Sequence, residues 1–143
     1  MSKKSRVLGS ADAIELAFYA AIARADITAL MALWADDDDI VCIHPGAPRL
    51  VGHAAIRASW EMIFERGGVQ IRPVQLHVSL NLMVSIHNLV EEIDNDLREP
   101  QDMHVLATNV YIKTAQGWRI VTHHASIAPG NIPVDSTAGL MLH

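Results

Sequence analysis

The chain has 143 residues, of which 50% are hydrophobic and 19% are charged, and its formal net charge is −5 at pH 7. This length predicts one domain, which buries about 70% of the unfolded chain's surface and needs neither a metal nor a disulfide to fold. The acidic balance argues against nucleic-acid binding, and one cysteine, Cys42, excludes an intrachain disulfide and suits a reducing compartment. Without a signal-peptide core or an apolar run of about 20 residues, we expect a cytoplasmic protein with no membrane partner.

The first half of the chain predicts three amphipathic helices. Ser10 can cap a helix over Ala11–Arg24, and Asp26 can cap a shorter second helix. A third helical pattern covers residues 53–66 and ends at Gly67. The aromatic residues at helical spacing, which we expect to form the core or the wall of a ligand pocket, are Trp34, Trp60 and Phe64.

The second half predicts an antiparallel sheet. Four long segments rich in Val, Ile, Leu and Thr lie at residues 70–80, 82–94, 102–113 and 118–127. Their connections are too short for crossover helices, so neighbouring strands should be antiparallel. Helices followed by strands are typical of an α+β fold, and a curved sheet covered by helices leaves a concavity that suits a small ligand.

The ends of the chain differ from its centre in composition. We predict a flexible N-terminus at residues 1–9, a domain at residues 10–128 and a tail at residues 129–143, because prolines in the tail end regular strand pairing. Two shorter strands are expected at residues 40–43 and 50–51, on either side of a Pro- and Gly-containing loop.

Three stretches resemble the nuclear transport factor 2-like superfamily, in particular its SnoaL-like branch. They are Leu33-Trp34-Ala35-Asp36-Asp37 leading into residues 40–46, Val51-Gly52-His53-Ala54-Ala55-Ile56, and residues 117–126. The last stretch also resembles the end of the association domain of calcium/calmodulin-dependent protein kinase. The resemblance implies a cone-shaped, cystatin-like sheet wrapped around three helices. The superfamily includes ketosteroid isomerase, polyketide cyclases and non-catalytic assembly modules, so the fold alone does not give the function.

The resemblance to ketosteroid isomerase implies three catalytic candidates. Such enzymes use a pre-proline aspartate as base, with a helix tyrosine and a neutral strand aspartic acid as hydrogen-bond donors. The corresponding residues are His44, Tyr19 and Asn109. An imidazole can act as a base near neutral pH, whereas an asparagine amide can donate but cannot titrate. The alternative for His44 is a loop residue that orders the turn at Pro45.

The association-domain resemblance implies a pocket with arginines, but Asn109 and Ala125 occupy the matching positions, so no positive charge is kept there. Glu91 and Glu92 point to opposite faces of one strand and do not form a paired acid/base unit. The adjacent pair His123-His124 cannot chelate one ion for the same reason. We therefore expect no metal and no cofactor.

Strand alternation decides which late residues line the pocket. By parity Thr122, His124 and Ser126 share a side with Trp118 and Ile120, and we interpret this side as concave. These three residues are therefore predicted to line the pocket. A slip of one residue would exchange His124 for His123, and a hydrogen-bonded core histidine is the alternative to a ligand contact.

Two functional hypotheses follow. The first is a small-molecule-binding SnoaL-like protein, whose catalytic form would use metal-free acid/base chemistry of isomerase, lyase or cyclase type on a small organic ligand. The second is a non-catalytic oligomerisation module that resembles the kinase association domain. Both predict a homodimer through the outer face of the sheet, which carries apolar side chains that need cover.

Overall fold

A computed structural model describes residues 9–93 and 103–130. The elements follow one another as α1 Ala11–Arg24, α2 Ile27–Ala32, β1 Val41–Ile43, β2 Arg49–Val51, α3 His53–Phe64, β3 Ile71–Leu80, β4 Val84–Ile93, β5 Met103–Thr114 and β6 Gly117–Pro129. This order confirms the predicted α+β fold, and the long strands lie within two residues of their predicted bounds. The proposed division of the chain into a domain and two tails stays a prediction, because residues 1–8 and 131–143 lie outside the described part.

The strands form one curved sheet in the order β2-β1-β6-β5-β4-β3. The four long strands are antiparallel neighbours, as predicted from their short connections. The pairing of β1 with β6 is parallel and was not predicted. Because β1 lies beside a strand that is distant in sequence, no hairpin constrains the relative direction of this pair.

The helices begin where the sequence predicts. The Ser10 hydroxyl accepts a hydrogen bond from the Ala13 amide at 3.1 Å, and the Asp26 carboxylate accepts one from the Ala29 amide at 3.0 Å. These caps satisfy amide groups that have no partner inside the helix. After α3 the chain passes very close to α1, since a Cβ added at Gly68 would lie 1.9 Å from a backbone oxygen. Only glycine fits this approach.

Helix α1 packs along the face of the sheet that we call the inner face. Its central residue Phe18 is fully buried and meets the edges of Trp34 and Trp60, at ring-centroid distances of 6.5 and 6.0 Å. Leu89 and Ala107 complete this layer from the sheet. Burial of large aromatic side chains contributes most of the apolar area of such a core.

A β-bulge changes the alternation of β6 partway along the strand. Tyr111 of β5 pairs with Ile120. The preceding residue Val110 pairs with Thr122, so Val121 is an extra residue without a partner. Two residues of β6 therefore face one residue of β5, and the inward and outward positions are exchanged beyond this point.

Among the described residues, no helix is long and apolar enough to span a membrane.

Candidate functional site

Seven polar side chains meet beneath α1 on the inner face of the sheet. We call this group the inner polar cluster, and its members are Glu15, Tyr19, His87, Glu91, Asn109, Tyr111 and His123. All of them are at least nine-tenths buried. A buried polar group is stable only when it has a hydrogen-bond partner. The members of this cluster are partners mainly for one another, in a connected network.

Asn109 lies at the centre of the network. Its side-chain Nδ2 donates to Glu15 Oε2 and to the Tyr19 hydroxyl oxygen, both at 3.1 Å. Its Oδ1 lies 2.6 Å from His123 Nδ1. Because an amide oxygen can only accept, the His123 Nδ1 carries the proton in this contact. Every polar atom of the amide group thus has a partner.

Glu15 is surrounded by donors. The Tyr111 hydroxyl donates to Glu15 Oε2 at 2.6 Å, beside the bond from Asn109. His87 Nδ1 lies 3.1 Å from Glu15 Oε1, within ion-pair distance, although it does not meet the angular criteria of a hydrogen bond. Burial by itself raises the pKa of Glu15, but the nearby His87, the Tyr111 hydroxyl and the Asn109 amide outweigh it and hold that pKa below its ordinary value.

His87 connects Glu15 to the start of α1. Its ring is fully buried, and its Nε2 lies 2.8 Å from the Ser85 hydroxyl and 3.7 Å from Asp12 Oδ1. The Asp12 side chain is largely exposed. The Glu15 end of the cluster thus reaches towards solvent at the first turn of α1.

Glu91 has a poorer set of partners. Among the described residues, its carboxylate accepts one hydrogen bond, from the Tyr19 hydroxyl at 2.8 Å. Burial raises the pKa of Glu91; the bond from Tyr19 lowers it in part, and the negative charge of Glu15 raises it further. The net direction is upward, so Glu91 keeps its proton to a higher pH than an ordinary carboxyl group.

His123 faces Glu91 within an aromatic surround. Its Nε2 lies 4.0 Å from Glu91 Oε2, too far for a direct hydrogen bond. Its ring lies 5.1 Å from the Phe18 ring and 6.1 Å from that of Trp60, measured between centroids. Burial, with smaller contributions from the charges of His44 and His124, lowers the pKa of His123 to about 3. The imidazole is therefore neutral at pH 7, with its lone pair on Nε2.

His44 lies outside the inner polar cluster. Its Nε2 is 2.9 Å from the Ser59 hydroxyl, which itself donates to the Ile56 carbonyl, so the imidazole is the donor in this contact. Its ring packs edge-on against Trp60 at 4.8 Å, and burial lowers its pKa. Cys42, its neighbour at 3.7 Å, is fully buried, and burial raises the pKa of this thiol to about 12. His44 thus contacts the Trp60 wall rather than Tyr19 or Asn109.

The predicted concave orientation of Thr122, His124 and Ser126 is wrong. The β6 bulge places His123 inward, where it is 3% exposed, and turns His124 outward. His124 and Ser126 instead line an open groove of about 400 Å³ on the outer face of the sheet. Thr122 pairs with an outward residue of β5 and shares their side. The inward positions alternate from Trp118 to Ile120, but this alternation does not continue through the bulge at Val121.

The aromatic residues predicted for a pocket wall surround the cluster unequally. Trp34 and Trp60 are buried against Phe18, whereas Phe64 is half-buried and packs on Trp60 at 5.7 Å. Trp60 alone of these contacts both His44 and His123. Whether these residues contact a ligand stays a prediction.

Sequence reasoning identified Tyr19 and Asn109 and gave His123 as the alternative to His124. The other members, Glu15, His87, Glu91 and Tyr111, were not predicted as site residues. One pattern could have indicated Glu15, which precedes Tyr19 by four residues and therefore shares its helix face. Another could have indicated Glu91, which alternates with His87 on β4. His123 depended on a bulge that the sequence does not mark.

The described residues contain no group of three or more His, Cys, Asp or Glu side chains placed to hold a metal ion. Although seven polar groups converge on the inner face, they bond mainly to one another. Their arrangement suits proton transfer and hydrogen bonding by side chains.

Comparisons with known proteins agree with this architecture. The sequence profile of the SnoaL-like domain matches residues 12–130. A proposed calcium/calmodulin-dependent protein kinase type II association domain from Thiobacillus denitrificans is 37% identical, with 87% of this chain and 98% of that chain covered and a TM-score of 0.76. A proposed dehydratase of the nuclear transport factor 2-like family from Streptomyces avermitilis is 29% identical, covering 87% of this chain and 96% of that one, with a TM-score of 0.73.

A ketosteroid isomerase-like protein from Erwinia carotovora atroseptica shares the fold at 22% identity, with 90% of this chain and all of that chain covered and a TM-score of 0.64. No curated protein matches the chain significantly. The solved relatives thus include both enzyme-like and assembly-like proteins.

Proposed function

The chain belongs to the SnoaL-like domain family, and on that premise we propose that it binds a small organic compound and acts on it by metal-free acid/base chemistry of isomerase or lyase type. One observation carries this proposal. Two buried carboxylates of one cluster have pKa values displaced in opposite directions, and the one with the raised pKa, Glu91, faces the neutral His123. Titratable pairs whose environments separate their pKa values are typical of acid/base sites.

In this proposal His123 is the base and Glu91 the acid. The Nε2 lone pair of His123 removes a proton from a carbon atom of the substrate. Glu91 gives its proton to a departing hydroxyl group, which leaves as water, or to a second carbon atom in an isomerisation. The His123 imidazolium then returns its proton to the Glu91 carboxylate, which faces it at 4.0 Å, so that both groups regain their starting forms. Tyr19 and Asn109 are held in place by their hydrogen bonds and stabilise the carboxylate and imidazole through the cycle. Positioned acid/base groups accelerate such steps by about 10²–10⁴-fold.

The character of the cluster favours an uncharged substrate. No lysine or arginine is among the buried side chains of the described residues, whereas Glu15 and Glu91 both are. An anionic compound would meet repulsion without a compensating cation. Phe18 and Trp60 supply apolar surface beside His123. One relative, at 29% identity, is a proposed dehydratase, and a dehydration removes a hydroxyl group from its substrate.

Hydrogen exchange provides a test that does not depend on which product forms. Uncharged ketones and hydroxy ketones that raise the melting temperature would be incubated with the protein in D₂O, and loss of their C–H signals followed by proton NMR. We expect His123→Gln to slow the exchange by at least about 100-fold. His124→Gln, a matched change on the outer face, should leave the rate unchanged. Equal rates for wild type and His123→Gln would refute the assignment of the base.

His44, the base implied by the ketosteroid isomerase template, is assigned a contacting role in this proposal. Its Nε2 donates to Ser59, and it packs on Trp60 beside the cluster. His44→Ala should therefore weaken compound binding more than it slows exchange at saturation. The reverse pattern would return the role of base to His44.

A second function, assembly, is favoured by the outer face of the sheet. Ile86 and Leu106 point outward and are 36% and 39% exposed. An exposed apolar sheet face of this kind is typical of an interface, and the relative at 37% identity is a proposed association domain. We propose a homodimer through this face, an arrangement that leaves the inner polar cluster outside the contact.

Solution mass tests the assembly proposal. Light scattering should give the mass of a dimer, and Leu106→Lys should give that of a monomer because it places a charge in the contact. Met62→Lys, at a position on α3 that is 70% exposed, is the matched control and should remain dimeric. A ring much larger than a dimer would favour the assembly module. A monomeric wild-type protein would refute both the homodimer and the assembly module.

A further inference from the structure

We propose that Glu15 is a positioning residue that fixes the tautomer of His123 by acting through Asn109. This inference rests on the proposed function, since it explains how the base acquires a free Nε2. Among the described residues no hydrogen bond joins Glu15 to His123 directly, and the Asn109 amide bonds to both. The assignment follows from which atoms of each group can donate and which can only accept.

The orientation of the Asn109 amide is determined first. An asparagine amide can be turned by half a rotation, which exchanges its oxygen and nitrogen. In the observed orientation Nδ2 faces Glu15 Oε2 and the Tyr19 oxygen. The Tyr19 hydroxyl already donates its proton to Glu91, so both neighbours present acceptors. The turned amide would place Oδ1 against two acceptors, and a carboxylate at Glu15 therefore excludes it.

The tautomer of His123 follows from that orientation. With Nδ2 occupied, Asn109 Oδ1 faces His123 Nδ1 at 2.6 Å and can only accept. A neutral imidazole has one ring proton, and the hydrogen bond at one nitrogen sets which nitrogen carries it. The proton is therefore on Nδ1, and Nε2, on the side of Glu91, has the lone pair.

The surroundings of Glu15 keep it in the form that this mechanism needs. Tyr111 donates to the same oxygen as Asn109, and His87 lies 3.1 Å from the other oxygen. These contacts offset the cost of burying a carboxylate. A glutamine at position 15 has no charge and can present either an oxygen or an NH₂ group to Asn109. The constraint on the amide would then be lost.

Nitrogen NMR of histidine measures the tautomer without any substrate. In protein labelled with ¹⁵N-histidine at pH 7, we expect wild-type His123 to show a protonated Nδ1 and an unprotonated Nε2. Glu15→Gln should shift the Nε2 resonance towards that of a protonated ring nitrogen. Glu91→Gln, the matched change at the other carboxylate, should leave the tautomer unchanged.

Each outcome supports or overturns the inference. A wild-type His123 protonated on Nε2 overturns it without any variant, so the test holds even where Glu15→Gln does not fold. A folded Glu15→Gln with an unchanged tautomer also overturns it. A shifted tautomer supports it, and that support stands if no compound undergoes exchange, which would count against the proposed function alone. Exchange activity with a tautomer unaffected by Glu15→Gln would count against this inference alone.

Discussion

Glu15 and Glu91 stand at two ends of one cluster, and they differ in what surrounds them rather than in how deeply they are buried. Their exposed fractions are 5% and 7%. Glu15 accepts from Tyr111 and Asn109 and lies beside His87, and its pKa is lowered. Glu91 accepts from Tyr19 among the described residues, and its pKa is raised. The number of donors, more than burial, decides which form of a buried carboxyl group is stable.

The fold explains why the donors are distributed in this way. Glu15 lies in the first half of α1, directly over Asn109 and Tyr111 of β5 and His87 of β4. One helical turn later, Tyr19 reaches Glu91 near the other end of β4. Glu15 therefore meets three side chains from the sheet that can donate to it. Glu91 meets one donor among the described residues, the Tyr19 hydroxyl. The same helix thus places one carboxylate among donors that lower its pKa and leaves the other with a raised pKa.

The largest expected effect compares the loss of each carboxylate. Glu15→Ala leaves the Tyr111 hydroxyl, the Asn109 amide and His87 without a buried anion, so we expect the free energy of unfolding to fall by about 3–5 kcal/mol. Glu91→Ala removes the acceptor of one buried donor, the Tyr19 hydroxyl, which costs about 1–3 kcal/mol. Urea unfolding at pH 7 measures both changes.

Glu92→Ala provides the control for this comparison. Glu92 is exposed on the same strand and pairs with Arg72, and such surface pairs contribute at most about 1 kcal/mol. If Glu91→Ala destabilised the protein as much as Glu15→Ala, the two ends of the cluster would not differ as described.

The fold could be predicted from the sequence because its determinants are local. Helix caps such as Ser10 and Asp26, the spacing of apolar residues and the short connections between long strands each constrain neighbouring residues. The parallel pairing of β1 with β6 could not be predicted in this way, because it joins residues about 80 positions apart. No local pattern states which strand a short apolar segment will meet.

The cluster was predictable only in part, for a related reason. The family resemblance indicates Tyr19 and Asn109, and the four-residue spacing of Glu15 from Tyr19 indicates that these two share a helix face. The orientation of His123 required the bulge at Val121, where neither glycine nor proline marks an irregularity. The bulge is defined by the register against β5, so it follows from pairing across the sheet and not from β6 itself.

The next effect concerns the imidazole of His123. The pKa of His123 is about 3 in the folded state against an ordinary value of about 6.5, so between these values the unfolded state binds more protons. Stability is therefore lost as the pH falls below about 6.5, by about 1.4 kcal/mol per pH unit at most from this group. Unfolding free energies at intervals from pH 7 to 5 should show this decline, and His123→Gln should reduce it.

His44→Gln tests whether the decline belongs to His123. The pKa of His44 is lowered as well, but this ring is half-buried, and its replacement should flatten the pH dependence less. If His44→Gln flattened the pH dependence of stability and His123→Gln did not, the decline would have to be assigned to His44 and not to His123.

The smallest effect tests the raised pKa of Glu91, a shift opposite in direction to that of Glu15. Because its folded pKa is raised, the native state holds more protons than the unfolded state from about pH 4.5 up to that folded pKa. The contribution of this group to stability therefore falls as the pH rises through that window, the reverse of Glu15, whose contribution is lost as the pH falls below about 4.5.

Glu91→Gln should remove the loss of stability that Glu91 causes at rising pH, without adding a charge. Compared with wild type it should gain stability at pH 8 relative to pH 5. Glu92→Gln should show no such gain, because Glu92 is exposed. A Glu91→Gln variant that instead lost stability at pH 8 would mean that the Glu91 carboxylate is held as an anion, as Glu15 is, and that it has no proton to give.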